Sequence, residues 1–391
     1  MKHPKSWSRS LAAVASLAAL ASLAAPARAQ IEVGEVAPDP GVGVIEVAIV
    51  LDSSRSMKPL IDGARVGLWD IVNELARLEP APALRVALVG YGGRAEGAQN
   101  GFVKVRVPLT ADLDRVSEQL FEMTTGGGTE YVARALSTAV GQLAWSEPGP
   151  ETLRLIFVAG NEPADQDPEL DLLDAGRGAD AGQFEVYAIY CGQATDAHAE
   201  SWRGLAEAAR GRFTTLDLSA ASSLAGTPVD RELARLGEKL NATYVELASG
   251  GDAGREALVA QDRKVETLSL AAAAARAETK AGALYRPSWD LVDASATGQL
   301  RLEEVEEAKL PAALRALPPE ERQAWIERTL AEREELRSRI RALGDQRRSY
   351  LDARARRPGA AGRTFEAIVR EALREELEER GLEPGDEPEG D

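Results

Sequence analysis

One short stretch, Val44 to Met57, constrains the fold of this chain more than any other. Val44 to Leu51 is a nearly unbroken apolar run rich in β-branched residues, and it ends abruptly in the polar sequence Asp52-Ser53-Ser54-Arg55-Ser56. A short apolar run of this kind predicts a strand buried on both faces, as in the middle of a parallel sheet. The polar residues then lie at the carboxyl end of the strand, the edge at which open α/β sheets bind ligands.

Two loops of this chain carry hard oxygen donors. Asp52, Ser54 and Ser56 place one carboxylate and two hydroxyls at alternate positions, and a second loop, Thr124 to Glu130, reads TTGGGTE just before a helical stretch. Oxygen donors of this type suit Mg²⁺, which prefers octahedral oxygen geometry. The alternative is a strand-end turn whose serines and threonines cap helices.

The pattern Asp52-x-Ser54-x-Ser56, followed at the expected distance by the glycine-rich loop, resembles the metal-ion-dependent adhesion site of von Willebrand factor type A domains. The resemblance covers about residues 43–220. It implies that Asp52, Ser54, Ser56 and Thr129 bind Mg²⁺, or Mn²⁺ or Ca²⁺ in its place. It further implies a protein partner whose acidic residue completes the coordination of the ion.

A third loop departs from the family pattern. The family usually places an aspartate after the fourth strand, in a Thr-Asp-Gly turn, whereas this chain reads Ala159-Gly160-Asn161-Glu162-Pro163. Aligning Glu162-Pro163 with the residues after that turn puts Gly160 at the aspartate position, so a carboxylate is missing and we expect weak cation binding. A slightly shifted turn would bring in Asn161 or Glu162 instead, and Asn161 is included among the candidate ligands.

Strands and helices alternate along the first half of the chain in the order β-α-β-β-α-α-β-α-β-α-β. This order predicts a doubly wound, mainly parallel sheet with helices on both faces and one antiparallel hairpin at an edge. It is also the fold of the family that the sequence resembles. We therefore assign residues 43–220 to one α/β domain.

The second half is dominated by Ala, Glu, Arg and Leu, which predicts an all-α, partly coiled-coil region over residues 230–380 that is separable from the first domain. Residues 320–357 form one long predicted helix with a narrow apolar seam, and residues 364–380 are its candidate partner helix. Self-association through these helices is a further possibility. The acidic end, residues 381–391, is predicted to be disordered.

The amino-terminal residues have the features of an export signal. Lys2, Lys5 and Arg9 precede an apolar Ala/Leu run that is too short to span a membrane, and Ala27-Arg28-Ala29 has the form of a cleavage site. We therefore interpret residues 1–29 as a signal peptide, expect the mature chain to begin at Gln30, and treat residues 30–42 as a linker. The predicted location is periplasmic or secreted, and no later segment is apolar enough to cross a membrane.

Composition excludes several classes of function. The 391 residues carry a formal net charge of −17, which disfavours binding to nucleic acid. The single cysteine, Cys191, allows no intramolecular disulfide and is interpreted as a small core residue. His198 is the one histidine expected to remain after the signal peptide is removed, which leaves too few histidines for a histidine zinc site and disfavours a Ser-His-Asp triad. We therefore do not expect an enzyme. The alternatives to a binding module are a Mg²⁺-dependent phosphoesterase and a structural envelope protein with a degenerate site.

Overall fold

The computed structural model describes residues 43–78, 81–218, 226–247, 253–355 and 364–380. The predicted signal peptide, linker and acidic tail lie outside the described residues. No helix within the described ranges is both long enough and apolar enough to span a bilayer.

The first part of the chain forms a seven-stranded sheet with six strands in the order β3-β2-β1-β5-β6-β7 and β4 paired to β2 at its end. All neighbours are parallel except β3 and β4, which are antiparallel to β2. The strands are β1 (Val44–Asp52), β2 (Ala83–Gly93), β3 (Val103–Thr110), β4 (Gly127–Thr129), β5 (Thr152–Gly160), β6 (Glu185–Tyr190) and β7 (Arg212–Thr215). The mainly parallel sheet with an antiparallel edge hairpin is confirmed.

Strand β1 lies at the centre of this sheet, between β2 and β5. The chain leaves β1 toward one edge and later returns on its other side through β5, so the strand order reverses at β1. Loops that follow the strands on either side of such a switch point diverge and leave a crevice at the carboxyl edge. The loops after β1 and β5 meet at that crevice.

Helices cover both faces of the sheet. They are α1 (Lys58–Leu75), α2 (Leu113–Glu122), α3 (Val132–Gln142), α4 (Leu172–Ala181) and α5 (Ala199–Ala208). Side chains of β1 alternate between two hydrophobic clusters: Val47 and Ile49 face the α1 and α2 layer, whereas Ala48 and Val50 face the α3 and α5 layer. This alternation on a fully buried strand explains the nearly continuous apolar sequence of β1.

The rest of the described chain is helical, as predicted. It comprises α6 (Asp230–Asn241), α7 (Ala253–Leu268), α8 (Leu270–Ala281), α9 (Leu291–Ala296), α10 (Ala312–Arg315), α11 (Pro319–Ala355) and α12 (Phe365–Glu379).

Helix α12 does not pair with α11, contrary to the expectation from its apolar face. Its buried residues Phe365, Ile368 and Leu373 belong to the same hydrophobic cluster as α1 and β1. At its far end, the Tyr187 hydroxyl of β6 donates to Glu376 Oε1 at 2.9 Å. Helix α12 therefore completes the helix layer on one face of the sheet, and this shared core argues against independent folding of residues 230–380.

Helix α11 packs against α6, α8 and α9 through a seam that contains arginines. Arg333, on this seam, is fully buried and pairs with Asp290, which is equally buried, at 2.5 Å. Arg347 contacts Asp70 of α1 at 2.9 Å. These arginines, which interrupt the apolar pattern in the sequence, continue the packing seam as buried ion pairs.

Candidate metal centre

The Asp52 carboxylate is the centre of the loop that follows β1. It is fully buried, and its Oδ1 accepts a hydrogen bond from the Ser54 backbone amide at 2.6 Å. The Ser54 hydroxyl donates to Asp52 Oδ2 at 3.1 Å and lies 3.5 Å from the Ser56 hydroxyl. A 3₁₀ turn over Arg55–Met57 then leads into α1. The alternate spacing of the three residues thus puts three oxygen groups side by side.

The loop after β5 brings Asn161 to the same place. Asn161 Nδ2 donates to the Ser56 hydroxyl at 3.1 Å, and Oδ1 lies 3.4 Å from the same oxygen. The Trp202 indole fixes this loop from below by donating to the Glu162 carbonyl at 2.8 Å. Asn161 therefore joins Asp52, Ser54 and Ser56 at the crevice.

Gly160 does not occupy the position expected from the sequence alignment. It is the last residue of β5, in register with Tyr190, and a Cβ atom built on it would lie 2.3 Å from the Tyr91 hydroxyl and 3.1 Å from the Trp202 ring. A side chain at residue 160 would thus enter the core and not the crevice. Asn161 is the first residue beyond the strand, and its neutral amide, not a carboxylate, lies at the crevice.

The glycine-rich loop is attached directly to the Asp52 loop. The Gly126 amide donates to the Ser53 carbonyl at 3.0 Å, and the Arg94 amide donates to the Gly126 carbonyl at 3.0 Å. Strand β4 then sets Thr129 in register with Gly92 of β2. A Cβ atom at Gly92 would lie 2.8 Å from Asp52 Oδ1. Thr129 is therefore paired with the β2 residue that borders the Asp52 carboxylate.

Glu130 is a further acidic residue at this place, and the sequence pattern did not assign it a role as a ligand. Its side chain is only 5 % exposed, it interacts with the Ser54 hydroxyl, and its Oε2 atom has no hydrogen-bond partner among the described residues. A Cβ atom at Gly92 would lie 2.8 Å from Glu130 Cγ as well as from Asp52 Oδ1. The two carboxyl groups therefore border the same glycine. The sequence signal was the position of Glu130 directly after Thr129.

Burial and neighbouring acidic groups raise the pKa of both carboxyl groups in this cluster. Burial, with the Glu130 carboxyl beside it, raises the pKa of Asp52 well above its usual range, although hydrogen bonds from Ser54 oppose the shift. Burial, with a smaller effect of Glu162, raises the pKa of Glu130 to about 7. Among the described residues, no lysine or arginine forms an ion pair with either group. Buried carboxylates normally have such a partner.

The donor set fits a hard divalent ion. Two adjacent ligands of an octahedral Mg²⁺ ion are about 3.0 Å apart, since each lies about 2.1 Å from the metal. The separations of 3.1 Å from Asp52 to Ser54 and 3.5 Å from Ser54 to Ser56 are close to this value. The described residues contain no group of three or more histidine, cysteine or acidic side chains that could hold a metal ion by themselves. Mixed hydroxyl, amide and carboxylate oxygens favour Mg²⁺, Mn²⁺ or Ca²⁺ over zinc.

Comparison with known families agrees with this fold. The family model of the von Willebrand factor type A domain matches residues 46–224, and the chain contains such a domain. Domains of this type typically mediate protein–protein interactions and often depend on a metal ion. A comparison with curated proteins found no match.

Part of this chain is similar to several solved structures, among them the three that follow. Proximal thread matrix protein 1 from the mussel byssus is 14% identical, with 46% of this chain and 43% of that chain covered and a TM-score of 0.36. A von Willebrand factor type A protein from Catenulispora acidiphila is 18% identical, with 46% and 40% covered and a TM-score of 0.35. The pilus adhesin SpaC from Lactobacillus rhamnosus GG is 15% identical, with 46% and 29% covered and a TM-score of 0.35. The chain spans less than half the length of each.

Proposed function

We propose that this chain is an exported binding protein whose von Willebrand factor type A domain holds a divalent cation and, through it, an acidic residue of a protein partner. The observation that carries the proposal is the convergence of Asp52, Ser54, Ser56 and Asn161, from two loops, at the switch point of the sheet. Thr129 is the fifth proposed ligand. Periplasmic or secreted localisation follows from the interpretation of residues 1–29 as a signal peptide.

The reason for an acidic partner is electrostatic. Asp52 is the one charged ligand among these five, so the divalent ion keeps a net positive charge, and an anionic oxygen from a partner gains by entering an open position. A cavity of about 300 Å³ lies beside the two loops and is lined by Lys58, Arg65, Thr124 and Thr125, among others. Lys58 is largely exposed at this cavity, where it pairs with Asp62 of α1.

A matched pair of serines tests the metal site. Ser53 and Ser54 are adjacent and buried, but the Ser53 hydroxyl donates to the Tyr91 carbonyl at 3.0 Å, whereas the Ser54 hydroxyl faces Asp52. We expect isothermal titration with Mg²⁺ or Mn²⁺ to show binding that Ser54→Ala and Asp52→Asn lose and Ser53→Ala retains. Thr129→Ala should weaken it.

Two further measurements address the partner and the location. Partner capture by the wild-type chain should be lost both in chelator and in Ser54→Ala, while Ser53→Ala still captures. The exported protein should begin at Gln30 when its amino terminus is sequenced. A wild-type chain that binds no divalent cation would refute the metal proposal and favour a structural envelope protein with a degenerate site. Hydrolysis of a phosphate ester that requires Mg²⁺ and Ser54 would favour the phosphoesterase.

A further inference from the structure

Glu130 has no structural role that accounts for its burial. It precedes α3, where a carboxylate could stabilise the helix start by accepting a backbone N–H. However, no side-chain cap bond is present at the start of α3, which begins at Val132. Among the described residues, Glu130 Oε2 also lacks any hydrogen-bond partner, although the side chain is 95 % buried. A buried carboxylate oxygen without a donor is costly, and a positive group beside it would offset that cost.

The position of Glu130 identifies that group. The Glu130 carboxyl interacts with the Ser54 hydroxyl, the same hydroxyl that donates to Asp52. Gly92, which has a positive φ of 78°, lies between the two acidic side chains. Because it has no side chain, the two carboxyl groups can approach each other there. An ion bound by Asp52 and Ser54 would therefore lie next to Glu130.

We propose that Glu130 is a second anionic ligand of the divalent cation and supplies, from the glycine-rich loop, the charge that Asn161 does not carry. This inference rests on the metal site proposed above. With Asp52 and Glu130 both bound, the chain itself supplies two negative charges to the ion, and the electrostatic gain from an acidic partner is correspondingly smaller. The free protein then holds its cation without a partner, and binding is tighter than the missing carboxylate on the β5 loop alone would predict.

Three variants of the full chain test the role of Glu130, with Mn²⁺ alone as the probe and its affinity followed by titration and by the Mn²⁺ electron paramagnetic resonance signal. Glu130→Gln keeps the shape and removes the charge, and should weaken Mn²⁺ binding about tenfold or more, because a charge at ligand distance acts with little screening. Glu162→Gln is the matched control. The Glu162 carboxyl also acts on Asp52, but the Glu162 side chain is half-exposed. The substitution should change the affinity less than about threefold because solvent screens this charge.

The double variant Glu130→Gln/Asn161→Asp restores the number of carboxylates on the opposite loop. It should recover most of the lost affinity if charge supply to the ion is the role of Glu130. Thermal unfolding in chelator gives an independent readout: Glu130→Gln should melt at or above the wild-type temperature, since it removes an unpartnered buried charge. A merely structural Glu130 would lower the melting temperature and would not be rescued by Asn161→Asp.

The outcomes separate this inference from the proposed function. If the wild type binds no Mn²⁺, both fail. If the wild type binds, Asp52→Asn loses binding and Glu130→Gln binds as well as wild type, the metal site stands and the role of Glu130 is refuted. An affinity that falls in Glu130→Gln without recovery in the double variant also overturns the inference.

Discussion

The charge cluster that joins the helical region to the α/β domain can be tested by one substitution, Asp262→Asn. Asp262 of α7 pairs with Arg276 and Lys280 of α8, and both basic side chains are about 1 % exposed. Arg276 also reaches Asp114 of α2 at 2.6 Å, and Asn241 of α6 donates to Asp262 at 2.7 Å. Four helices therefore meet at one buried set of charges.

The magnitude follows from what remains after the substitution. Arg276 keeps Asp114, but the remaining hydrogen-bond partners of Lys280 are the neutral oxygens of Asn241 and Gly237, so one buried ammonium has no anion in direct contact. Breaking a buried ion pair by removing one partner typically costs about 3–5 kcal/mol. A ceiling of about 5 kcal/mol applies, since at that cost a lysine of ordinary pKa loses its proton at pH 7. We expect Asp262→Asn to lose about 3–5 kcal/mol, a large share of the roughly 5–15 kcal/mol of a typical domain.

Urea unfolding followed by circular dichroism measures this loss. The matched control is Asp345→Asn on α11, which removes the same group from an exposed pair with Arg348 and should cost less than about 1 kcal/mol. Adding Lys280→Met to Asp262→Asn should recover much of the stability, because no unpaired cation remains. A loss for Asp262→Asn as small as that of the control would refute the interpretation of these charges as one buried unit.

Three other predictions concern the same fold. Burial raises the pKa of Asp262, but the neighbouring Lys280 and Arg276 outweigh burial and lower it. The stabilisation that the charged Asp262 contributes is therefore present above the pKa of the unfolded chain and is lost as pH falls through the folded pKa. The free energy of unfolding of Asp262→Asn should consequently depend less on pH below about pH 4 than that of the wild type. Gly160→Ala should cost about 1–3 kcal/mol by overpacking, while Gly178→Ala, with open space around it in α4, should be neutral or stabilising in the same denaturation assay. Phe365→Ala, at a fully buried position of α12, should cost about 3–5 kcal/mol and lower the melting temperature of the α/β domain together with that of the helices; separate transitions would contradict the shared core.

The sheet and most of the crevice could be predicted from the sequence because their signals are local. The apolar run of β1 has the length and composition of a doubly buried strand, and Asp52, Ser54 and Ser56 follow it at alternate positions. Connectivity rules then place these residues at the carboxyl edge. The order of helices and strands in the first domain is confirmed, with the short strand β4 as the one addition.

On the β5 loop, the sequence alignment put Gly160 at the ligand position, whereas the structure has Asn161 at the crevice. Gly160 and Asn161 differ by one position, yet a side chain at residue 160 would enter the core, whereas Asn161, beyond the end of the strand, lies at the crevice. The deciding contacts, from Tyr91 and Trp202, come from residues 69 positions before and 42 positions after Gly160. No local pattern contains that information. The position of Glu130 directly after Thr129 is visible in the sequence, but its proximity to Gly92 and Ser54 is visible only in the structure.

Long-range pairing also explains the errors in the helical half. In the sequence, Arg333 and Arg347 interrupt the apolar stripe of α11 if every charged residue is assumed to be exposed to solvent. Their acidic partners, Asp290 and Asp70, are distant in sequence, and burial becomes tolerable once both members of a pair are enclosed together. Tyr285, also in this half, is buried, and its hydroxyl donates to Asp114 of α2 at 2.6 Å.

Helix α1 connects these two halves of the molecule, and its position gives the helical region a part in supporting the proposed metal centre. The helix begins at Lys58, two residues after Ser56, so its start fixes one end of the Asp52 loop. Along its length, Asn73 donates to the Ala275 carbonyl of α8 at 2.9 Å, and Glu74 pairs with Arg374 of α12 at 3.1 Å. A metal site requires ligand positions held to a fraction of an ångström, and such precision depends on the elements behind the ligands. Because α8 and α12 pack on α1, the carboxyl-terminal helices act as that support, and the site should be studied in the full chain and not in an excised domain.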